Sequence, residues 1–331
     1  MRHEQAGTGG NSRDPAGRRV IAFALASAAA LACAVPRSSA PVPDNSRLSP
    51  PVPALISTDT LAAWQSRRVE FRLIDVRPDI FLYLAGHVPD AAFLHRESLR
   101  AAQSGLPTGL LPDDWYGSLF SRLGIRWDRP VVIYSAGESL NVDATFLAWF
   151  LAGHGHPGVY LLDGGMAKWE LEGRPIGRRY PRFDTAPLPP TRFAPERVEL
   201  AEVRRAIAGG ALLVDARHPD QYAGEAGAQV RRGHIPGAVS HYWQDDLERR
   251  ELGSAWKSLE QLRASYVGEG ITPDRDIIVY CNTSTEASHV FFALRYLLRY
   301  PRVRIYTGSW NEWSENETLP VETGRPQRGR P

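Results

Sequence analysis

Short apolar runs recur along the chain: "FRLIDV" from Phe71, "PVVIYS" from Pro130 and "GVYLLD" from Gly158, then "ALLVDA" from Ala211, "DIIVYC" from Asp276 and "VRIYTG" from Val303. They are continuous and rich in β-branched residues, the pattern of strands buried on both faces. Between them lie segments with helical spacing, such as "VDATFLAWFLAG" (Val142 to Gly153) and "EASHVFFALRYLLRY" (Glu286 to Tyr300). In the second of these, Val290, Phe291, Leu294, Leu297 and Leu298 predict a helix that begins near Glu286 and packs on a sheet. Strands alternating with helices predict an α/β fold, with a parallel sheet covered by helices on both faces. Ligands of such sheets bind at the carboxyl ends of the strands.

The chain repeats itself. "LIDVR" (Leu73 to Arg77) matches "LVDAR" (Leu213 to Arg217), and "GHVPDA" (Gly86 to Ala91) matches "GHIPGA" (Gly233 to Ala238). "VVIYS" (Val131 to Ser135) matches "IIVYC" (Ile277 to Cys281), and "VYLLDGGMAKW" (Val159 to Trp169) matches "VRIYTGSWNEW" (Val303 to Trp313). Offsets of 140, 147, 146 and 144 residues keep the order, so a whole domain is duplicated. The expected division is a domain over 55–176, a proline- and arginine-rich linker over 177–197, a second domain over 198–325 and a tail over 326–331.

The N-terminus stands apart. Arg18 and Arg19 precede the apolar stretch Val20 to Val35, too short to span a bilayer comfortably, and small residues follow it. This predicts a signal over 1–40, with cleavage after Ala34 or Ala40, a linker over 41–54, and a periplasmic or secreted protein. An uncleaved anchor is the alternative, and only then is a membrane a partner. A hydrophobic content of 43% and a charged content of 23% fit globular domains, and a net charge of +2 gives no reason to expect nucleic acid.

The composition includes two cysteines. Loss of Cys33 with the signal leaves Cys281 with no internal disulfide partner, a liability in an oxidising compartment unless the thiol is used or buried. Cys281 follows a strand, and the loop Cys281 to Thr285 leads into a helix. Loop amides and a helix N-terminus favour thiolate, and such cysteines have pKa values lowered from about 8.5 to roughly 3.5–7.5. A nucleophile therefore outweighs a small buried apolar residue. A phosphatase needs Cys-x5-Arg, and that arginine is replaced by Ala287. The remaining use of this architecture is sulfur carried as a persulfide.

With these residues the chain resembles the tandem-domain rhodaneses, the thiosulfate and mercaptopyruvate sulfurtransferases, over nearly all of residues 55 to 325. The resemblance rests on the paired "VR/AR" strands, the paired "GH-x-P" turns, "LDGG" and "YTGSWNEW", and the loop "VYCNTSTEAS". It implies two tandem rhodanese-like domains, each a parallel sheet with helices on both faces. The first is inert, because Ser135 stands where the second has Cys281. It implies ping-pong transfer from thiosulfate or mercaptopyruvate to cyanide or a thiol, without cofactor or metal. Asn282, Thr283, Ser284, Thr285, Glu286 and Ala287 then hold the anion. A non-catalytic module that binds a protein or carries sulfur for one is the rival.

This chain departs from the family at several places. Ser284 replaces a glycine and must take its backbone angles, and Asn282 replaces the basic residue common after the cysteine. Glu286 is expected to face solvent, since an inward carboxylate repels thiosulfate. Gln221 stands where thiosulfate enzymes have arginine, which leaves Arg231 and Arg232 as candidates to grip the anion. Arg217 joins that set, although an ion pair holding the loop suits it better, as it does Arg77. Thr283 stands at the place of the mercaptopyruvate enzymes' serine.

Among the remaining residues, Asp75 and Asp215 are expected to bind loop amides, and His87 and His234 to be structural. His154 and His156 form too sparse a set for a metal. Trp169, Trp310 and Trp313 are expected to end strands and fill cores, and Trp243 to line the pocket entrance.

Overall fold

A computed structural model describes residues 53–103, 106–136, 140–188, 196–250 and 253–325. The expected signal, most of the linker after it, Cys33 and the tail lie outside the described residues.

The first half runs β1 (Ala54–Ile56), α1 (Thr58–Ser66), β2 (Arg72–Arg77), α2 (Ile80–Ala85), β3 (Ala92–His95), β4 (Ala101–Gln103), β5 (Leu106–Gly109), α3 (Asp113–Arg122), β6 (Val131–Tyr134), α4 (Val142–Gly153), β7 (Val159–Leu162) and α5 (Gly165–Leu171). The second runs β8 (Arg197–Val198), α6 (Leu200–Ala208), β9 (Leu212–Asp215), α7 (Pro219–Ala223), β10 (Val239–Ser240), β11 (Leu247–Arg250), β12 (Gly253–Trp256), α8 (Leu259–Gly268), β13 (Ile277–Tyr280), α9 (Thr285–Phe291), β14 (Val303–Tyr306) and α10 (Ser309–Glu315). Helix α9 continues into a π-helical stretch, Phe292–Leu297. A 3₁₀ turn follows the fifth strand of each sheet, Arg96–Leu99 in the first half and Trp243–Asp246 in the second.

Both main sheets are parallel, ordered β1-β7-β6-β2-β3 and β8-β14-β13-β9-β10, the same arrangement twice. The predicted α/β fold is therefore observed. Alternate strand residues face opposite ways. In the first half Val132 and Tyr134 pack with Leu61 of α1 and Trp169 of α5, while Val131 and Ile133 face Phe120 of α3 and Phe146 of α4. In the second, Ile278 and Tyr280 pack with Val203 of α6 and Trp310 of α10, and Ile277 and Val279 face Leu262 of α8 and Val290 of α9. Helices thus cover both faces of each sheet.

The inward faces of the two halves merge into one apolar core through α4 and α9. This explains why α4 lacks a polar side: ten of its residues besides Gly153 are buried, because it is clasped between its own sheet and α9. Thr145 Oγ1 and Ser288 Oγ lie 2.9 Å apart across that contact. Thr145 is fourth after its helix N-cap Asn141, and Ser288 fourth after its N-cap Ser284. Corresponding residues of the repeat therefore touch, so the halves are related by a local pseudo-two-fold at this point.

The tryptophan expectation needs correction. Trp169 lies on α5 and Trp310 and Trp313 on α10, all buried, so they fill the core from helices rather than from strand ends. Short edge strands, of two to four residues, and the hairpins β4–β5 and β11–β12 lack the length to show a hydrophobic period.

Candidate active site

Cys281 stands at the carboxyl end of β13, the middle strand, where the chain turns into α9. Its sulfur accepts hydrogen bonds from the backbone N–H groups of Thr283 and Ala287. Ser135 sits at the same point of the first sheet, and its Oγ accepts from Ala144 N at 2.7 Å. One cradle is thus built twice, once around a hydroxyl and once around a thiol.

The loop is pinned by Ser309, which sequence reasoning missed. Its buried hydroxyl accepts from Cys281 N (3.3 Å) and Ser284 N (3.1 Å) and donates to Tyr306 O (2.8 Å). Trp310 N and Asn311 N donate to the carbonyls of Cys281 and Asn282 at 2.8 and 3.2 Å. In the first half Gly165 replaces Ser309, and Asn141 Oδ1 reaches in to accept from Ser135 N at 2.7 Å. A Cβ on Gly165 would fall 2.7 Å from that oxygen. Ser309 and Gly165 share a positive φ, 54° and 56°, so the turn is common to both and only the source of the acceptor changes. Ser284 has φ 67°, the glycine-like angle its position demands, and its Oγ donates to Thr283 O at 2.5 Å.

Asp215 and Arg217 form the support beneath. Arg217 donates from Nε (2.9 Å) and Nη2 (2.6 Å) to Asp215 and from Nη2 to Gly233 O (2.7 Å), and its guanidinium lies 4.7 Å from the Trp310 ring centre. It is buried, so it braces Asp215, the turn at Gly233 and Trp310 and is not open to substrate. Asp75 and Arg77 repeat this pair, with Nε to Oδ1 at 2.6 Å. His87 and His234 are structural in the same way: each stacks on a tyrosine, Tyr83 or Tyr222, and hydrogen bonds that tyrosine's carbonyl at 2.8 Å. His154 and His156 likewise hydrogen bond backbone carbonyls, of Phe150 and Arg126.

Of the two candidate anion-gripping arginines, Arg231 is otherwise engaged. Arg231 spends both terminal nitrogens on the carbonyls of Asn316 (2.6 Å) and Leu319 (2.5 Å), tying down the C-terminal segment, and Arg232 is exposed beside it. Besides Arg217, a cation of the first half acts on Cys281: Arg100, nearly buried and 4.5 Å over the Phe146 ring. No local motif marks it, because its place at the thiol depends on how the halves pack. At the loop's outer side Asn282 donates to Gln221 Oε1 at 3.1 Å, so Gln221 orders the loop there.

Two expectations about charge are overturned. Burial pushes the Cys281 thiol up to about 12, and Glu286 adds to this; the Ala287 and Thr283 amides and Arg100 oppose it without prevailing. The expected lowering of its pKa therefore fails, since only 1% of the residue is exposed and a carboxylate lies alongside. Glu286 is only partly exposed, and its carboxyl turns toward the site. Its Oε2 is buried without a hydrogen-bond partner, and the carboxyl interacts with Cys281 and Trp243. Burial, then Asp215, raise Glu286 to about 7 against the opposing pull of Arg217, Cys281 and Trp243. Trp243 is itself buried, so it lines the site wall beside Glu286 rather than an entrance.

Residues 57–172 and 199–316 each match the Rhodanese-like domain. The chain belongs to the rhodanese family. It is similar to a protein of Thermus thermophilus named sulfur carrier protein TtuD, at 36% identity over 292 residues (82% of this chain, 96% of that one). It is also similar to a thiosulfate sulfurtransferase of Corynebacterium glutamicum, at 32% identity over 278 residues (80% and 89%). The solved structure of wild-type EanB shares the fold, with a TM-score of 0.72 and 23% identity over 82% of this chain and 69% of that one. Membership places the protein in the sulfurtransferase class.

Proposed function

We propose that the protein moves sulfane sulfur through a persulfide on Cys281, with thiosulfate as donor and cyanide or a small thiol as acceptor. The observation that carries this reading is the cradle at the end of β13, where two backbone amides converge on the sulfur of Cys281. Amides aimed at one point stabilise an anion there without reorganising during the reaction. Cys281 thiolate attacks the outer sulfur of thiosulfate. The sulfur–sulfur bond of the donor breaks, its electron pair leaves with sulfite, and Cys–S–S⁻ stays behind. The acceptor then attacks the terminal sulfur and restores the thiolate, and neither step needs an oxidant or a cofactor. Asn282 to Ala287 frame the bound group, and Thr283 leaves mercaptopyruvate as the alternative donor.

A second reading has specific support: the persulfide is handed to another protein. Gln221 stands where thiosulfate enzymes carry arginine, the thiol is almost wholly buried, and one relative is named as a sulfur carrier. We further propose that the protein acts outside the cytoplasm, a reading supported by Arg18, Arg19 and the apolar stretch Val20 to Val35. The mass of the mature N-terminus tests this.

The test of function is thiocyanate production from thiosulfate and cyanide at varied concentrations of both. Parallel double-reciprocal lines support the first reading. Turnover with mercaptopyruvate alone keeps the chemistry and changes the donor. If neither small donor works, yet polysulfide-loaded protein passes sulfur to a protein thiol, the carrier reading replaces it.

A further inference from the structure

We infer that Glu286 is the proton acceptor of this site: its carboxylate takes the thiol proton of Cys281 as the new sulfur–sulfur bond forms and delivers it to the departing group. The inference rests on the sulfur-transfer reading above and adds a catalytic residue to it.

Position is the first argument. Glu286 is the second residue of α9, where a glutamate ordinarily points to water and gains from the helix dipole. Here the carboxyl turns inward against the thiol, and one oxygen is buried without a donor. A buried oxygen without a donor is costly, and the nearby carboxylate of Asp215 adds repulsion.

The duplicated half supplies the second argument. Asp143, second residue of α4, is the counterpart of Glu286 and is fully buried, whereas Glu286 is partly buried. It is neutralised by Arg96, 3.3 Å away, the first residue of the 3₁₀ turn after β3. The first residue of the matching turn in the second half is Trp243. Beside the hydroxyl of Ser135, then, the carboxylate has a cation. Beside the thiol of Cys281 that place is taken by a neutral indole, and the one cation that acts on Glu286, Arg217, is already paired with Asp215. The charged and titratable groups facing Glu286 are Asp215 and Arg217 from the end of β9, Cys281 from the loop and Tyr242 beside Trp243, with Arg100 acting on the sulfur from the first half.

The chemistry balances. Transfer of the Cys281 proton gives thiolate and a neutral carboxylic acid, and removes the negative charge that an approaching thiosulfate dianion would meet. Thiolate attack forms the Cys–S–S bond and breaks the donor's sulfur–sulfur bond, and the electron pair departs with sulfite. Sulfite takes the proton from Glu286 and leaves as hydrogensulfite, which returns the carboxylate. Burial sets Glu286 near 7, so close to neutral pH it is available both to take a proton and to give one.

The test compares wild type with Glu286→Gln, which keeps size and polarity, and Glu286→Ala, each checked for folding by circular dichroism. Single-turnover loading of Cys281 from thiosulfate is followed by mass between pH 5 and 9.5. General acid–base groups contribute roughly 10²–10⁴-fold, so Glu286→Gln should load about 100-fold slower at pH 7.5. Its rate should climb about tenfold per pH unit where wild type levels off, and added acetate should partly rescue Glu286→Ala. Loading by Glu286→Gln at the wild-type rate or faster would overturn the inference and make Glu286 a mere repeller of the donor. Alkylation of Cys281 by iodoacetamide needs no sulfur donor and so separates this inference from the function it rests on. Wild type should react faster than Glu286→Gln at pH 7.5, and equal or slower reaction would sink the proton-acceptor role even if sulfur transfer is correct.

Discussion

Ser309→Ala removes one hydroxyl and breaks three hydrogen bonds at once. The amides of Cys281 and Ser284 lose their acceptor, and Tyr306 O loses a donor. A buried amide left unsatisfied costs about 1–3 kcal/mol. The longer contact to Cys281 N, 3.3 Å, falls at the low end of that range. The sum is about 3 kcal/mol. At 2–4 °C per kcal/mol for chains of this size class, Tm should fall by about 6–12 °C. Displacement of the loop should also slow sulfur loading by about 100-fold, the usual consequence of misplacing a reacting group by about 1 Å. Denaturant titration and calorimetry give the stability, and single-turnover loading gives the chemistry. Ser314→Ala is the control on the same helix: it breaks one long bond to Asn311 O, 3.3 Å, and should cost under about 1 kcal/mol. If Ser309→Ala costs no more than that control and loads normally, the loop is held by the Trp310 and Asn311 amides instead, and the role given to Ser309 is wrong.

Arg217→Met should cost about 3–5 kcal/mol, because it strands the buried charge of Asp215; adding Asp215→Asn should recover part of the loss in a double-mutant cycle. Gln221→Arg should lower KM for thiosulfate by about tenfold, in line with one charge-assisted hydrogen bond, and unchanged KM would show that position 221 does not face the donor. His241 supplies a pH dependence. Burial alone would lower its pKa, but Asp246 (3.1 Å) and Glu269 (2.6 Å) outweigh that and raise it to about 10. A raised folded pKa gives stability that is complete below about 6.5 and is lost as pH rises toward 10. Unfolding free energy should therefore decline across that window by on the order of a few kcal/mol, and His241→Gln should flatten the decline.

The sequence was most legible where local chemistry repeats. Continuous apolar runs marked the six central strands, and α4 appears over the residues its spacing predicted. The Asp215–Arg217 pair and the "GH-x-P" histidines could be read because each has a twin, and a feature kept beside both Ser135 and Cys281 points to structure rather than catalysis. The position of Cys281 followed from the strand that precedes it. What escaped depended on tertiary packing. Ser309 reaches the loop only through a left-handed turn 28 residues away. Arg100 acts on the thiol electrostatically from the other half of the repeat. The direction of Glu286 was misjudged because helix position favours solvent, whereas the neutral wall supplied by Trp243 lets the carboxyl fold inward. The Cys281 pKa was misjudged for the same reason, since loop amides were weighed without burial or that carboxylate.

The central claim is that Cys281 carries the sulfur, and intact mass tests it most directly. The mature protein is measured as isolated and reduced, then after thiosulfate, then after cyanide, with Cys281→Ser alongside. The account predicts a gain of one sulfur atom on wild type, its loss to cyanide as thiocyanate, and no gain on the variant. A folded wild type that gains nothing from thiosulfate, mercaptopyruvate or polysulfide, or a Cys281→Ser protein that loads as well as wild type, would contradict it.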